Sequence, residues 1–230
     1  MQYVKSTMID KILKIVAPHH CFGCDKTGTV LCDYCKYNIV DDSYFGCISC
    51  QKPTNSENYC GRCKTSYSRA WCVAERRNIM TQLLNAYKFE NVYDAHRTFV
   101  DLLDVRLPSL PSSTIIVPIP TIAKHVRQRG YDHMRLIADS LATKRSLRVE
   151  HVLARAENSV QTGASRKQRY DQALRAFAVD ARRIDSSCTY FLIDDVTTTG
   201  ATLEHAAAAL KKAGARDVWV AVIARQPFEN

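Results

Sequence analysis

The sequence has no apolar run long enough to cross a bilayer. Its first residues, Met1-Gln2-Tyr3-Val4-Lys5, lack the basic region, apolar core and small-residue cleavage site of a signal peptide. It also has no low-complexity tract, and nothing in it repeats except pairs of cysteines. We therefore expect a cytoplasmic protein without a membrane span. Its 230 residues suffice for one medium domain plus a small one.

Charge is unevenly distributed along the chain, whose formal net charge is +9. Residues 1–75 contain nine Lys or Arg and seven Asp or Glu, whereas residues 76–230 contain twenty-three and sixteen. Two zinc ions bound by eight thiolates would lower the formal charge further, so the basic excess lies in the C-terminal part. A basic surface attracts phosphate-rich partners such as nucleotides or nucleic acid, although a solvated basic face has the same composition.

Residues 19–65 contain few aliphatic side chains, so this segment needs disulfides or a metal to hold it together. Most of the cysteines lie here in four C-x-x-C pairs: Cys21/Cys24, Cys32/Cys35, Cys47/Cys50 and Cys60/Cys63. Because disulfides are disfavoured in a reducing compartment, the pattern predicts metal binding. Two such pairs complete a tetrahedral zinc site, and a full set of four thiolates is structural rather than catalytic.

The spacing leaves open which pairs share a metal ion. Seven residues separate the first two pairs and nine separate the last two, so sequential pairing would give two zinc ribbons. Interleaved pairing, first with third and second with fourth, fits the same spacing. We expect a double zinc-ribbon module over residues 19–68 with two structural zinc ions. Before it, residues 1–18 are predicted to contain an amphipathic helix with Val4, Met8 and Ile12 on one face.

From residue 69 to residue 230 the pattern changes to alternating strands and helices. Apolar runs predict strands over residues 70–74, 114–117, 190–193 and 218–224, and helical periodicity predicts helices over residues 79–87, 93–107, 134–145 and 201–213. The β-α-β spacing of the last three elements indicates a parallel sheet covered by helices. The predicted class is therefore α/β, with a small Cys-rich module in front.

The candidate catalytic residues, Asp194 and Asp195, follow a buried strand, and the hydroxyl-rich turn Thr197-Thr198-Thr199-Gly200-Ala201-Thr202 then opens a helix. Unpaired amides at a helix start bind anions, helped by the helix dipole. Two carboxylates can accept hydrogen bonds from the 2- and 3-hydroxyls of a ribose. Together these groups predict a ribose-5-phosphate site. Simple N-capping of the helix is the alternative, although capping needs only one such residue.

Residues 191–202 resemble the signature of type I phosphoribosyltransferases, in which a hydrophobic strand, two acids and Thr-Thr-Gly-Ala-Thr follow one another. The resemblance implies that Asp194 and Asp195 hold the ribose hydroxyls of phosphoribosyl pyrophosphate. It implies likewise that residues 197–202 hold the 5-phosphate. It also implies Mg²⁺, carried largely by the pyrophosphate of the ligand.

Further segments extend the resemblance over nearly the whole chain. After the cysteine pairs come Val117-Pro118-Ile119-Pro120, then Arg127-Gln128-Arg129-Gly130-Tyr131-Asp132, then Arg155, Gln161, Ser165-Arg166, Arg169 and Ala176-Phe177. This order resembles the ComF family of competence proteins, in which a zinc module precedes a phosphoribosyltransferase-like domain. Some members support DNA uptake during natural transformation. One departure is Ala164, where the family usually has leucine.

The resemblance and the local charge nominate further site residues. Lys88 matches a family lysine, and Pro118 and Ile119 end a strand that we expect beside the phosphate-binding turn. Arg127 and Arg129 carry positive charge suited to a pyrophosphate or a DNA backbone. The candidates for nucleic-acid contact are Arg129, Tyr131, Arg166, Lys167 and Arg169.

Three functions fit these features. The first is an enzyme that displaces pyrophosphate from phosphoribosyl pyrophosphate with an unidentified acceptor, linked to DNA uptake. The second is a competence factor that binds single-stranded DNA, cooperates with DNA-uptake proteins and has a regulatory or vestigial phosphoribosyl site. The third is a nucleotide-salvage phosphoribosyltransferase unrelated to DNA.

Overall fold

The computed structural model describes residues 18–55, 57–155 and 176–227. Val4, Met8 and Ile12 of the predicted N-terminal helix lie outside these ranges, as do the basic residues Arg166, Lys167 and Arg169. The described elements, in chain order, are α1 (Asp33–Asp41), β1 (Arg69–Glu75), α2 (Asn78–Phe89), α3 (Ala95–Arg106), β2 (Thr114–Pro118), α4 (Ala123–Arg129), α5 (His133–Arg145), β3 (Arg148–Val149), β4 (Leu153–Arg155), β5 (Phe177–Val179), a 3₁₀ turn (Ala181–Arg183), β6 (Thr189–Thr197), α6 (Ala201–Lys212) and β7 (Asp217–Arg225).

Five of the described strands form one parallel sheet in the order β1-β7-β6-β2-β3. Val117 of β2 pairs with Leu192 of β6, and Leu192 pairs in turn with Val220 of β7. The central strands are apolar almost throughout because helices cover both faces of a parallel sheet. The predicted parallel α/β class is confirmed, whereas β4 and β5 form a separate antiparallel ribbon that the sequence pattern did not indicate.

Successive residues of the central strands point to opposite faces of the sheet, so each strand contributes to two cores. On one face, Phe191 and Ile193 belong to a cluster with side chains of α2, α3 and α5. On the other face, Leu192 belongs to a cluster with Leu203 and Leu210 of α6. The sheet is therefore held between a three-helix layer and a single helix.

The Cys-rich segment divides its few apolar side chains between these two cores. Leu31 and Ile39 join the three-helix side, whereas Ile48 and Tyr67 join the side covered by α6. The fully buried Asn58 connects the segment to β1, because its Oδ1 accepts a hydrogen bond of 2.7 Å from the amide of Cys72. A segment without enough apolar residues for its own core thus uses the cores of the larger domain.

None of the described helices combines the length and the apolar character that a bilayer span requires.

Candidate functional site

The acidic pair lies near the carboxyl end of β6, at the edge where parallel α/β sheets bind ligands. The strand runs further than the sequence pattern indicated, and Asp194 still pairs with Val222 of β7. Because side chains alternate along a strand, Asp194 and Asp195 face opposite sides of the sheet. The two carboxylates therefore have different surroundings.

Asp195 is buried and is held by two basic side chains. Its Oδ2 lies 2.6 Å from Nζ of Lys88, at the end of α2, and 2.5 Å from Nε2 of His133, at the start of α5. Burial alone would raise the pKa of Asp195, but the hydrogen bond from His133 and the charge of Lys88 outweigh it and lower that pKa well below its usual range. Asp195 is consequently a fixed carboxylate.

His133 is a site residue that sequence reasoning missed. Its Nδ1 lies 3.0 Å from Nη1 of Arg129, and because a guanidinium can only donate, Nδ1 must accept. The hydrogen directed at Asp195 is on Nε2. Asp132 fixes the start of α5, where His133 lies, since it caps the helix by accepting hydrogen bonds from the amides of Met134 and Arg135. The local sequence, in which Asp132 can cap a helix that begins at His133, indicates the helix start but not the partner of the histidine.

Asp194 carries the opposite perturbation. It is half-buried, and its Oδ1 accepts a hydrogen bond of 2.9 Å from the amide of Asp195. Burial and the negative charge of Asp195 raise the pKa of Asp194 to about 8. At neutral pH the pair therefore contains one carboxylate and one largely protonated carboxyl. A protonated carboxyl can donate one hydrogen bond and accept others, which suits a sugar hydroxyl.

The alternative that these acids merely cap α6 does not fit the structure. The N-cap residue of α6 is Gly200, and the side chain that bonds to the first amide of the helix is that of Thr199, whose Oγ1 accepts a 3.4 Å hydrogen bond from the amide of Ala201. Asp195 instead bonds to Lys88 and His133. The acids are thus oriented by contacts on the sheet, independently of the helix start.

We call residues 197–202 the phosphate loop. Thr198, Thr199 and Ala201 are exposed, whereas Thr197 is buried and its Oγ1 accepts a hydrogen bond of 3.1 Å from the amide of Gly200. Gly200 has φ +78, a left-handed conformation that suits glycine. The first amides of α6 have no acceptor within the helix, so an anion at this turn can accept from them.

The neighbouring strand β2 ends level with the acids, as its predicted position beside the phosphate loop requires. Pro118 pairs with Ile193, and the amide of Ile119 donates a 2.9 Å hydrogen bond to the carbonyl of Ile193. Both residues are buried. The backbone of both residues therefore lies beside the end of β6 that carries the acids.

Two predicted arginines lie on α4, which follows β2. Arg129 contacts His133 as described, whereas Arg127 is exposed, and no ion pair among the described residues joins it to Asp194 or Asp195. The structure therefore brings Arg129, but not Arg127, into the network around Asp195.

Arg129 lies over an exposed aromatic ring. Its guanidinium carbon lies 5.4 Å from the ring centre of Phe89, which is 69% exposed. The rings of Tyr93 and Tyr131 lie 4.6 Å apart, and the hydroxyl of Tyr131 donates to the carbonyl of Tyr87. Tyr131 is therefore packed and anchored, and Phe89 is the more accessible ring.

The cysteines form two clusters with sequential pairing, which settles the choice between sequential and interleaved arrangements. We call Cys21, Cys24, Cys32 and Cys35 the first cluster, and Cys47, Cys50, Cys60 and Cys63 the second cluster. Within each cluster all sulfurs lie within 4.8 Å of one another. All ten cysteines of the chain are free thiols, so no disulfide competes with metal binding.

The geometry of both clusters fits zinc. Sulfurs at the corners of a zinc tetrahedron with bonds of about 2.3 Å are about 3.8 Å apart. The sulfurs of Cys24 and Cys32 are 3.5 Å apart, and those of Cys50 and Cys60 are 3.7 Å apart. Burial alone would raise the pKa of Cys21, but hydrogen bonds from backbone amides lower it to about 6. Zinc would be held by four thiolates at each cluster, without an open position for chemistry.

No family model matches the chain. It is 26% identical over 222 residues to competence protein F of Haemophilus influenzae, a match that covers 84% of this chain and 96% of that protein. The chain is similar to the ComF competence proteins. It is also 24% identical over 193 residues to ComFC of Streptococcus pneumoniae (82% of this chain, 84% of that protein) and 24% identical over 196 residues to ComFC of Bacillus subtilis (80% and 79%). The resemblance to ComF proteins predicted from the sequence motifs is confirmed.

Similar solved structures include the allosteric regulatory enzyme of purine biosynthesis, with a TM-score of 0.40 and 15% identity over 56% of this chain and 26% of that chain. They also include adenine phosphoribosyltransferase from Leishmania tarentolae, with a TM-score of 0.39 and 14% identity over 65% of this chain and 74% of that chain.

Proposed function

We propose that this ComF-like chain binds phosphoribosyl pyrophosphate with Mg²⁺ at the carboxyl end of β6 and acts in DNA uptake during transformation. One observation carries the proposal: Asp194 and Asp195 lie at the end of β6 beside the phosphate loop, and Lys88 and His133 hold the carboxylate of Asp195. The sequence resemblance of residues 191–202 to the phosphoribosyltransferase signature supports the ligand, and the names of the curated relatives support the process.

The proposed binding mode divides the ligand among three groups of residues. The 5-phosphate occupies the phosphate loop, where the first amides of α6 and the hydroxyls of Thr198 and Thr199 donate to it. The ribose hydroxyls bond to the acidic pair. The pyrophosphate, with its Mg²⁺, extends towards the backbone of Pro118 and Ile119. Zinc at the two cysteine clusters would stabilise the fold.

If the chain is an enzyme, an acceptor nucleophile forms a bond to C1 of the ribose while the bond from C1 to the pyrophosphate oxygen breaks. The electron pair of that bond leaves with the pyrophosphate. Positive charge develops on the sugar ring in the transition state, and the fixed carboxylate of Asp195 lies on the side of the ring hydroxyls, where it stabilises that charge. No covalent enzyme intermediate is needed.

Calorimetry with partial ligands tests this assignment. Phosphoribosyl pyrophosphate with Mg²⁺ should bind saturably, ribose-5-phosphate and pyrophosphate should each bind more weakly, and each should compete with the complete ligand. Release of pyrophosphate in the presence of individual nucleobases would identify an acceptor. Absence of competition by ribose-5-phosphate would contradict the placement of the 5-phosphate on the phosphate loop.

A second candidate function is binding of single-stranded DNA, and the exposed ring of Phe89 beside Arg129 favours it. Bases stack on exposed aromatic rings, and arginine adds attraction to phosphates. The chain offers a matched control, because Phe45 is 55% exposed and lies 5.9 Å from the guanidinium carbon of Arg106. If Phe89 takes part, Phe89→Ala should weaken binding of an oligothymidylate several-fold more than Phe45→Ala does, in fluorescence anisotropy at fixed salt. Equal effects would remove this candidate.

A further inference from the structure

The turn between two ligands of the second cluster lies directly against the phosphate loop. Cys47 and Cys50 enclose Ile48 and Ser49. A methyl group added at Gly200 would lie 3.3 Å from Oγ of Ser49 and 3.7 Å from the carbonyl oxygen of Ile48. Gly200 is the N-cap residue of α6. The turn at the second cluster therefore forms one wall of the phosphate loop.

A second contact joins the segment around the second cluster to the start of α6. Ser66 follows Cys63 by three residues, and its amide and hydroxyl donate to the two carboxylate oxygens of Glu204 at 2.8 and 2.7 Å. Glu204 lies in the first turn of α6. The hydroxyls of Ser49 and Tyr67 are 2.6 Å apart and connect the two contacts. The segment around the second cluster therefore contacts both the phosphate loop and the first turn of α6, whose amides would bind a phosphate.

The first cluster lies against different elements. A methyl group added at Gly23, between Cys21 and Cys24, would meet the sulfur of Cys35 at 2.5 Å and Cδ1 of Ile79 at 3.0 Å. Ile79 lies at the start of α2, on the three-helix side of the sheet. The two clusters therefore contact opposite sides of the domain, and in the described structure the contact with Gly200 comes from the second.

The segment around the second cluster has little apolar material of its own, and its cysteines are organised only when they bind a metal ion. A bound metal ion therefore determines the backbone path of the turn between Cys47 and Cys50. We propose that metal binding at the second cluster positions the phosphate loop and thereby sets its affinity for a phosphorylated ligand, whereas metal binding at the first cluster serves stability. The ligand part of this inference rests on the proposed function. The contact between the turn at the second cluster and the phosphate loop is independent of the proposed function.

The two clusters offer a matched pair of variants. Cys24 and Cys50 are each the exposed second cysteine of the first turn in their cluster. In the full chain, Cys24→Ser and Cys50→Ser should each lose about one zinc ion, measured by atomic emission. Amide hydrogen exchange without ligand should become at least tenfold faster over residues 197–204 in Cys50→Ser and should stay near wild type there in Cys24→Ser. Equal acceleration in both variants, or none in Cys50→Ser, would overturn the proposal.

A milder pair of variants keeps all zinc ligands and so guards against misfolding. Ser66→Ala removes one of the two bonds to Glu204, whereas Ser68→Ala removes a 2.6 Å bond to Asp217 at the start of β7, the opposite end of the sheet. Ser66→Ala should weaken binding of phosphoribosyl pyrophosphate with Mg²⁺ by about three- to tenfold, and Ser68→Ala should leave it unchanged. Equal affinities of the two variants would contradict the coupling. Failure of wild type to bind would refute the proposed function instead, and hydrogen exchange would still decide this inference.

Discussion

Lys88 and Lys144 form ion pairs of nearly equal length in different surroundings. Nζ of Lys88 lies 2.6 Å from Asp195, with the two side chains 15% and 11% exposed. Nζ of Lys144 lies 2.7 Å from Asp101, with the side chains 40% and 39% exposed. Water can solvate Asp101 when its partner is removed, but it reaches Asp195 poorly. Burial, and not distance, should therefore decide the cost of losing each lysine.

Replacing each lysine by methionine tests that reasoning. Removing one partner from a buried ion pair costs about 3–5 kcal/mol. His133 would still bond to Asp195, so we expect Lys88→Met to lower the free energy of unfolding by about 2–3 kcal/mol at pH 7. An exposed pair contributes about 0–1 kcal/mol, which is the loss expected for Lys144→Met.

The difference between wild type and Lys88→Met should also depend on pH. The pKa of Asp195 is depressed in the folded chain, so its ionisation stabilises the fold above the ordinary pKa of 3.8. That contribution is lost as the pH falls from there towards the folded pKa. Lys88→Met raises the pKa of Asp195 and removes part of this contribution. The difference in free energy of unfolding between wild type and Lys88→Met should therefore be full at pH 7 and smaller below about pH 4.

Urea unfolding followed by tryptophan fluorescence measures these losses, because Trp71 and Trp219 are both buried and should report on unfolding of the sheet. Zinc concentration must be equal in all samples, since binding to the folded state raises apparent stability. Equal losses for the two variants, or a difference between wild type and Lys88→Met that stays unchanged as the pH falls well below 3.8, would refute the account of Asp195 as a buried carboxylate held by Lys88.

Three further predictions concern the metal clusters, Asp194 and Gly200. The purified chain should contain about two zinc ions, and Cys72→Ser should not change that content by atomic emission, because Cys72 lies outside both clusters. The pKa of Asp194 is raised to about 8, so the folded chain keeps a proton that the unfolded chain releases near 3.8, and wild-type stability falls as the pH rises between these values. In urea unfolding, Asp194→Asn should therefore gain about 2–4 kcal/mol relative to wild type between pH 5 and pH 8, and no gain would contradict the shift. Gly200→Ala and Gly130→Ala should each cost about 1 kcal/mol of stability, because both glycines have left-handed φ values, +78 and +77. Gly200→Ala should cost more than Gly130→Ala, because only its new methyl group meets Ser49.

The β-α-β unit at the carboxyl end was predictable because local pattern determines it. The apolar run before Asp194, the threonine-rich turn and the helical spacing after Gly200 each point to the same structure. The position of β2 beside β6 was predictable as well, because a short strand that ends at Pro118 in a parallel sheet has its carboxyl end beside the acids. These features needed only contiguous sequence.

The features that could not be predicted depend on contacts between distant segments. His133 and Asp195 are 62 residues apart, and nothing in either local sequence indicates their hydrogen bond. Helix α1 has only two buried side chains, Cys35 and Ile39, so its apolar pattern is too weak to announce it. The contact of Ser49 with Gly200 likewise depends on which of the two cores the segment around the second cluster joins. Tertiary packing decides all three.

The central claim is that the acidic pair and the phosphate loop bind phosphoribosyl pyrophosphate with Mg²⁺. Calorimetry should compare the zinc-loaded wild type with Asp194→Asn/Asp195→Asn and with Asp41→Asn/Asp42→Asn, an exposed adjacent pair at the end of α1. Thermal unfolding would verify that all three chains are folded. The account predicts saturable binding by wild type and by Asp41→Asn/Asp42→Asn, and loss of binding in Asp194→Asn/Asp195→Asn. No binding by folded wild type, or equal binding by all three chains, would contradict it.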